Sequence, residues 1–99
     1  MKIFLDTANR EEIRQAAEMG VLDGVTTNPT LAAKEKKPFR QQILEICEIV
    51  KGGAISAEVV STDYEGMLRE GREVASWHPS VVVKLPTTPT GVRACHTLS

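Results

Sequence analysis

Apolar and polar positions in this chain follow two periods in turn, period 2 and then period 3.6, four times over. Ile3-Phe4-Leu5 is a short apolar run that stops at Asp6 and reads as a strand. From Asn9 to about Met19, Ile13, Ala16 and Ala17 recur at helical spacing, with Asn9 and Glu12 at capping-box separation and Gly20 as the closing cap. Gly24 to Thr27 is a second strand, ended by Asn28-Pro29, and Pro29 suits the first position of a helix. Lys34 to Lys37 is a charged loop. Pro38 then begins an amphipathic helix with Phe39, Ile43, Ile46, Cys47 and Val50 on one side, broken by Gly52-Gly53. Ile55 to Val60 is the third strand. Thr62 and Glu65 have capping-box spacing for a helix running to about Trp77, with Leu68, Val74 and Ala75 inward and His78-Pro79 ending it. Ser80 to Leu85 is the fourth strand. Thr88-Pro89 opens a last helix with Val92, Cys95 and Leu98 on one face.

Strands alternating with helices imply an α/β fold with a parallel sheet and right-handed crossovers. The 99 residues hold four such units at about 25 residues each, against roughly 31 per unit in a typical eightfold barrel. The last helix reaches Ser99 without a cap or a following strand. The expected architecture is therefore one domain, residues 1–99, comprising the first four strand–helix units of a (β/α)8 TIM barrel. A half barrel of this kind leaves its first and last strands as edges.

Bulk properties narrow the function classes. A hydrophobic content of 41% and a charged content of 25% are ordinary for a globular chain. The net charge of -1 carries no basic footprint for nucleic acid. No apolar stretch approaches the roughly 18 residues that cross a bilayer, and the amino-terminal apolar run is too short for a signal peptide, so a cytoplasmic location is expected. Cys47 and Cys95 lie far apart in helical patterns and read as packing thiols. With two histidines, no His/Cys set at metal spacing is present, and neither a metal nor a cofactor is expected.

The candidate chemistry sits at strand ends. Val81-Val82-Val83 reads as a strand buried on both faces, and Pro86 stops the ladder just beyond Lys84. Desolvation there disfavours the ammonium form, and a neutral lysine attacks carbonyls to form a Schiff base. The same lysine has a plain use, snorkelling to solvent. Asp6 ends the first strand, Asn28 follows the second, and Glu58 interrupts the third, where period 2 puts it on one face with Ser56. In a parallel barrel the carboxyl ends of all strands converge on the catalytic face. Each residue also has a structural use: Asp6 as a cap or loop acid, Asn28 as a turn residue, Glu58 as a solvated edge residue, and Thr26 or Thr27 as strand formers. His78 and Trp77 fall on the opposite side and read as structural. Thr87-Thr88 offers either an anion site or a helix cap, the cap being favoured.

These segments resemble a known family. Phe4-Leu5-Asp6-Thr7-Ala8, Gly24-Val25-Thr26-Thr27-Asn28-Pro29-Thr30, Ser56-Ala57-Glu58-Val59 and Val82-Val83-Lys84-Leu85-Pro86-Thr87-Thr88 are similar, in order, to the small transaldolases and fructose-6-phosphate aldolases. Members are about twice as long and form a complete barrel. The resemblance implies that Lys84 forms the Schiff base with a ketose. It implies that Asp6 moves the proton of the hydroxyl at the cleaved bond, and that Glu58 works through a catalytic water. Asn28 would hold dihydroxyacetone hydroxyls and Thr26 would line the same pocket. The aldolase branch carries glutamine where this chain has Glu58, which favours transaldolase. The implied reaction moves a dihydroxyacetone unit between sugar phosphates in the pentose phosphate pathway, in a homo-oligomer. The family's phosphate-binding serine and arginine have no counterpart in these residues, so the 99 residues alone are expected to turn over little.

Two further readings use fewer of the strand-end residues. One keeps the barrel but makes Lys84 a non-covalent electrostatic group. The other is a non-catalytic association module that pairs through its open edges.

Overall fold

The computed structural model describes residues 2–20, 22–27 and 29–99. Its elements are β1 (Phe4–Asp6), α1 (Arg10–Glu18), β2 (Gly24–Thr26), α2 (Pro29–Ala32), α3 (Phe39–Ile49), β3 (Ala54–Glu58), α4 (Tyr64–Ala75), β4 (Val81–Lys84) and α5 (Pro89–Leu98). The four strands form one parallel sheet in the order β1-β2-β3-β4. This is the expected half barrel: a curved sheet with helices on one side.

The pleat divides the sheet into two faces. Leu5, Val25, Ile55, Ala57, Val81 and Val83 point to the helices, where Val25, Ile55 and Ala57 are fully buried. They pack on Ile13 of α1, on Ile43, Ile46 and Cys47 of α3, on Val50, and on Val74 of α4. Val59, Met67, Leu68 and Ala94 form a second cluster under α4 and α5. The opposite face is concave. Phe4, Asp6, Gly24, Thr26, Ser56, Glu58, Val82 and Lys84 lie along it. The Phe4 ring lies over Gly24 so closely that a Cβ there would overlap it.

Helix ends follow the polar spacing with two adjustments. Asn9 caps α1 through its side-chain oxygen, which accepts from the Glu12 backbone N–H at 3.0 Å. The second half of that box differs: Glu12 accepts from the Thr7 hydroxyl, and Thr7 in turn accepts from the Asn9 N–H. Asp63, not Thr62, caps α4, accepting from the Gly66 N–H at 2.9 Å. Thr88 caps α5 through the Gly91 N–H. Gly20 and Gly52 take the left-handed conformation after α1 and α3.

Three burial expectations are corrected. β4 is not buried on both faces: it pairs only with β3 among the described strands, and Val82 on the concave side is 51% exposed. α5 docks through Gly91 and Ala94, with Leu98 packed beside them, while Val92 and Cys95 are exposed. The reason is close approach, because a Cβ at Gly91 would collide with the Pro86 carbonyl oxygen. Small residues, not large apolar ones, face the sheet there. On α4 the inward row is Met67, Leu68, Gly71 and Val74, and Ala75 is exposed. Trp77 meets Phe39 edge-on at 5.9 Å, and His78 Nδ1 accepts from the Ser80 N–H, both structural uses.

Glu45 on α3 ties the helix layer together. It meets Lys37 at 2.9 Å and Arg10 at 3.1 Å, and its pKa is lowered chiefly by the Lys37 hydrogen bond.

Ile46 is fully enclosed, so Ile46→Ala should destabilise the fold by about 2–5 kcal/mol in denaturant unfolding. Burial pushes the Cys47 thiol pKa up, with Glu48 adding to it, whereas Cys95 is exposed. A thiol reagent on the native protein should therefore modify Cys95 promptly and Cys47 only after unfolding. Equal rates at the two sites would contradict this packing.

Candidate active site

The concave face gathers polar side chains at the carboxyl ends of four successive strands. Strand register sets their levels: Asp6, Thr26, Ser56 and Val82 share one row. Glu58 and Lys84 pair with each other two residues, roughly 7 Å of rise, further along. Alternation leaves these side chains no other face, because the intervening Leu5, Val25, Ala57 and Val83 point to the helices.

The lower row is hydrogen-bonded. The Thr26 hydroxyl donates to Asp6 Oδ1 at 2.8 Å, fixing one carboxylate oxygen. Ser56 accepts from the Thr27 N–H at 3.1 Å, and the Thr27 hydroxyl donates to the Ser56 carbonyl at 2.7 Å. Thr27 is buried, so of the two threonines Thr26 is the one on the site face. Beyond the strands, the Thr7 N–H donates to the Thr26 carbonyl and the Val59 N–H to the Lys84 carbonyl. These bonds extend the pairing one residue past the strand ends.

In the upper row Lys84 Nζ stands 4.0 Å from Glu58 Oε2. The Lys84 side chain is 43% exposed and that of Glu58 23%. The amine thus stands in an open trough beside a carboxylate, with a second carboxylate, Asp6, on the same face. An amine and two carboxylates are the side-chain types that covalent carbonyl chemistry uses as nucleophile and proton carriers.

The structure therefore brings Asp6, Thr26, Glu58 and Lys84 onto one face. Asn28 lies outside the described residues. Ser56 joins the same face, and its period-2 relation to Glu58 is the signal that marks it. Clefts of about 390, 330 and 170 Å³ among the described residues lie along the helix layer, and none of these is lined by Asp6, Glu58 or Lys84. Among the described residues no group of three or more His, Cys, Asp and Glu has metal-binding geometry. No helix among them is long and apolar enough to cross a membrane.

An exposed ion pair at this separation contributes about 0–1 kcal/mol. Lys84→Met should accordingly leave the denaturant midpoint nearly unchanged, a shift within about 1 kcal/mol. A loss of several kcal/mol would make Lys84 a structural residue.

Comparison with known proteins bears on what such a face does. The family described as transaldolase/fructose-6-phosphate aldolase matches residues 3–99. A probable transaldolase of Kosmotoga olearia is 61% identical over 99 residues, covering 100% of this chain and 45% of that protein. One from Petrotoga mobilis is 60% identical, with 100% and 44% covered. One from Geobacter metallireducens is 56% identical, with 100% and 46% covered. The chain thus spans just under half the length of these curated relatives, matching their amino-terminal part.

Proposed function

The chain belongs to the transaldolase/fructose-6-phosphate aldolase family, and from that premise we propose that its concave face carries the Schiff-base chemistry of a transaldolase. The observation that carries this is the placement of Lys84, Glu58, Asp6 and Thr26 on one face at the carboxyl ends of four strands.

In this reading the Lys84 amine attacks the ketone carbon of a sugar phosphate such as fructose 6-phosphate. Glu58, through a water, delivers the protons that turn the resulting carbinolamine into an imine with loss of water. The Asp6 carboxylate then takes the proton of the hydroxyl at the bond to be cleaved. The electrons of that carbon–carbon bond flow into the protonated imine, an aldehyde leaves, and a three-carbon enamine stays on Lys84. The enamine adds to an acceptor aldehyde such as erythrose 4-phosphate, and hydrolysis frees the lysine. The electron sink is the imine nitrogen, so each step uses only side chains and water. Thr26 holds Asp6 by one oxygen and leaves the other to take the proton. Asn28 is the proposed holder of the dihydroxyacetone hydroxyls.

Glu58, in place of the glutamine of the aldolase branch, favours transfer to an acceptor over release of free dihydroxyacetone. The same membership supports sugar phosphates as substrates, a place in the pentose phosphate pathway, a cytoplasmic location and a homo-oligomer.

Reduction with cyanoborohydride in the presence of fructose 6-phosphate should leave a stable adduct on Lys84, read by peptide mass, and none in Lys84→Met. An unmodified Lys84, or modification of another lysine, would overturn the proposal. The 99 residues by themselves, with an open trough, should turn over far more slowly than the Kosmotoga olearia relative assayed alongside. Comparable turnover would refute that part.

A further inference from the structure

Glu58 needs a fixed address to move protons through one water, and among the described residues its side chain makes one ion pair, with Lys84 at 4.0 Å. What fixes its backbone lies on the other side of the sheet. β3 ends at Glu58, and the Val59 N–H still donates to the Lys84 carbonyl. The next two backbone N–H groups have no strand to bond. Val60 donates to Glu70 Oε2 at 2.8 Å and Ser61 to Glu70 Oε1 at 3.0 Å. The Ser61 hydroxyl adds a third bond to the same Oε1 at 2.7 Å.

We infer that Glu70 is a positioning residue for Glu58: its carboxylate clamps the chain where it leaves β3 and so fixes where the Glu58 side chain stands. The inference rests on the reading of Glu58 as the proton carrier given above. A carboxylate is an acceptor-only group, and three donors converging on it form charge-assisted bonds, stronger than neutral ones. Glu70 is itself well anchored. Its helix buries Met67, Leu68, Gly71 and Val74, and Asp63 caps the helix from within the same connection. The connection is therefore held at Val59 by β4, at Val60 and Ser61 by Glu70, and at Asp63 by the helix cap. Val59, between Glu58 and the clamp, is buried against α4 and α5. Releasing Glu70 frees two backbone N–H groups to solvent, those of Val60 and Ser61, starting two residues beyond Glu58. A neutral amide cannot replace it, because half of a glutamine head is a donor facing donors. Misplacement of a proton carrier by about 1 Å is enough to cost up to a hundredfold in rate.

A purely structural clamp would weaken the fold and leave the chemistry alone. The test separates the two through coupling. The rate of cyanoborohydride trapping of fructose 6-phosphate on Lys84 is measured in the parent, in Glu70→Gln, in Glu58→Gln and in the double variant. Glu70→Gln should slow trapping about tenfold at saturating ketose, with little change in the ketose concentration for half-maximal rate. In the Glu58→Gln background the same change should slow it no further, because the residue acts only through Glu58. Ser61→Ala, which removes one bond of three, should give a smaller loss of the same kind. The parent rate in Glu70→Gln, or an equal factor in both backgrounds, would overturn the inference. Should Glu70→Gln fail to fold, Ser61→Ala decides: an unchanged trapping rate overturns it. An unmodified Lys84 in the parent, or a Glu58→Gln variant that traps at the parent rate, would instead overturn the underlying reading of the site.

Discussion

Everything at this site depends on the pleat. Adjacent residues of a strand face opposite ways, and four parallel strands in register repeat that division side by side. One parity sends Leu5, Val25, Ile55, Ala57, Val81 and Val83 into the helix layer, where burial of Val25, Ile55 and Ala57 is complete. The other parity has nowhere to go but the concave side. A slip of one residue in any strand would put its polar residue, charged in β1, β3 and β4, into the core and an aliphatic one in the trough. The hydrophobic core therefore holds the polar constellation in place without touching it. An ionised Glu58 or Lys84 turned toward Ile46 would be an unpaired buried charge, which costs several kcal/mol.

The strand exits are the second level of control. Hydrogen bonding does not stop where regular strand does. The Thr7 N–H bonds to the Thr26 carbonyl, the Thr27 N–H to Ser56, and the Val59 N–H to the Lys84 carbonyl. Each of these bonds falls one residue beyond a site residue. They hold the last peptide of the strand flat at the position where a free strand end would fray. After β3 the ladder gives way to a side-chain acceptor, Glu70, because the chain must turn toward α4. After β1 the Thr7–Glu12–Asn9 bonds play the equivalent part. The site residues are thus the last members of rigid elements, which is more exact than a place on a loop.

Most of this was legible in the residues. Alternation marked four strands within a residue or two of their ends, and capping chemistry marked the helix starts at Asn9 and Thr88. Legibility failed where geometry, not composition, decides. Asp63 displaces Thr62 as a cap because a single residue shifts which N–H a side chain can reach, and both are good caps. α5 turns Gly91 and Ala94 inward because the Pro86 carbonyl comes too close for anything larger, and no hydrophobicity pattern records a close approach. The valine run of β4 reads as doubly buried, yet Val82 stands exposed on the open side of the sheet. Glu70 was invisible for a different reason. Its partners are backbone N–H groups of Val60 and Ser61, which every residue carries, so no residue type announces the pairing. Asp6, Glu58 and Lys84 could be picked out as strand-end residues, but their shared face became certain only with the register.

That register also places two carboxylates at different levels around one lysine. Asp6 stands in the lower row, held through Oδ1 by the Thr26 hydroxyl at 2.8 Å. Glu58 stands in the upper row beside Lys84, at a separation too long for a hydrogen bond. In the proposed chemistry, a direct bond would tie up the amine that attacks a carbonyl. A carboxylate standing off by that margin can instead act through a water between the two groups. In an open trough the surrounding water weakens every such interaction, and expelling it strengthens all of them together. The half barrel therefore sets the directions of the chemical groups, while the strength of their interactions depends on what else lines the trough. Direction is a property of strand register; strength is a property of enclosure, and Val82 and Lys84 stand on an edge strand, open to solvent on this face.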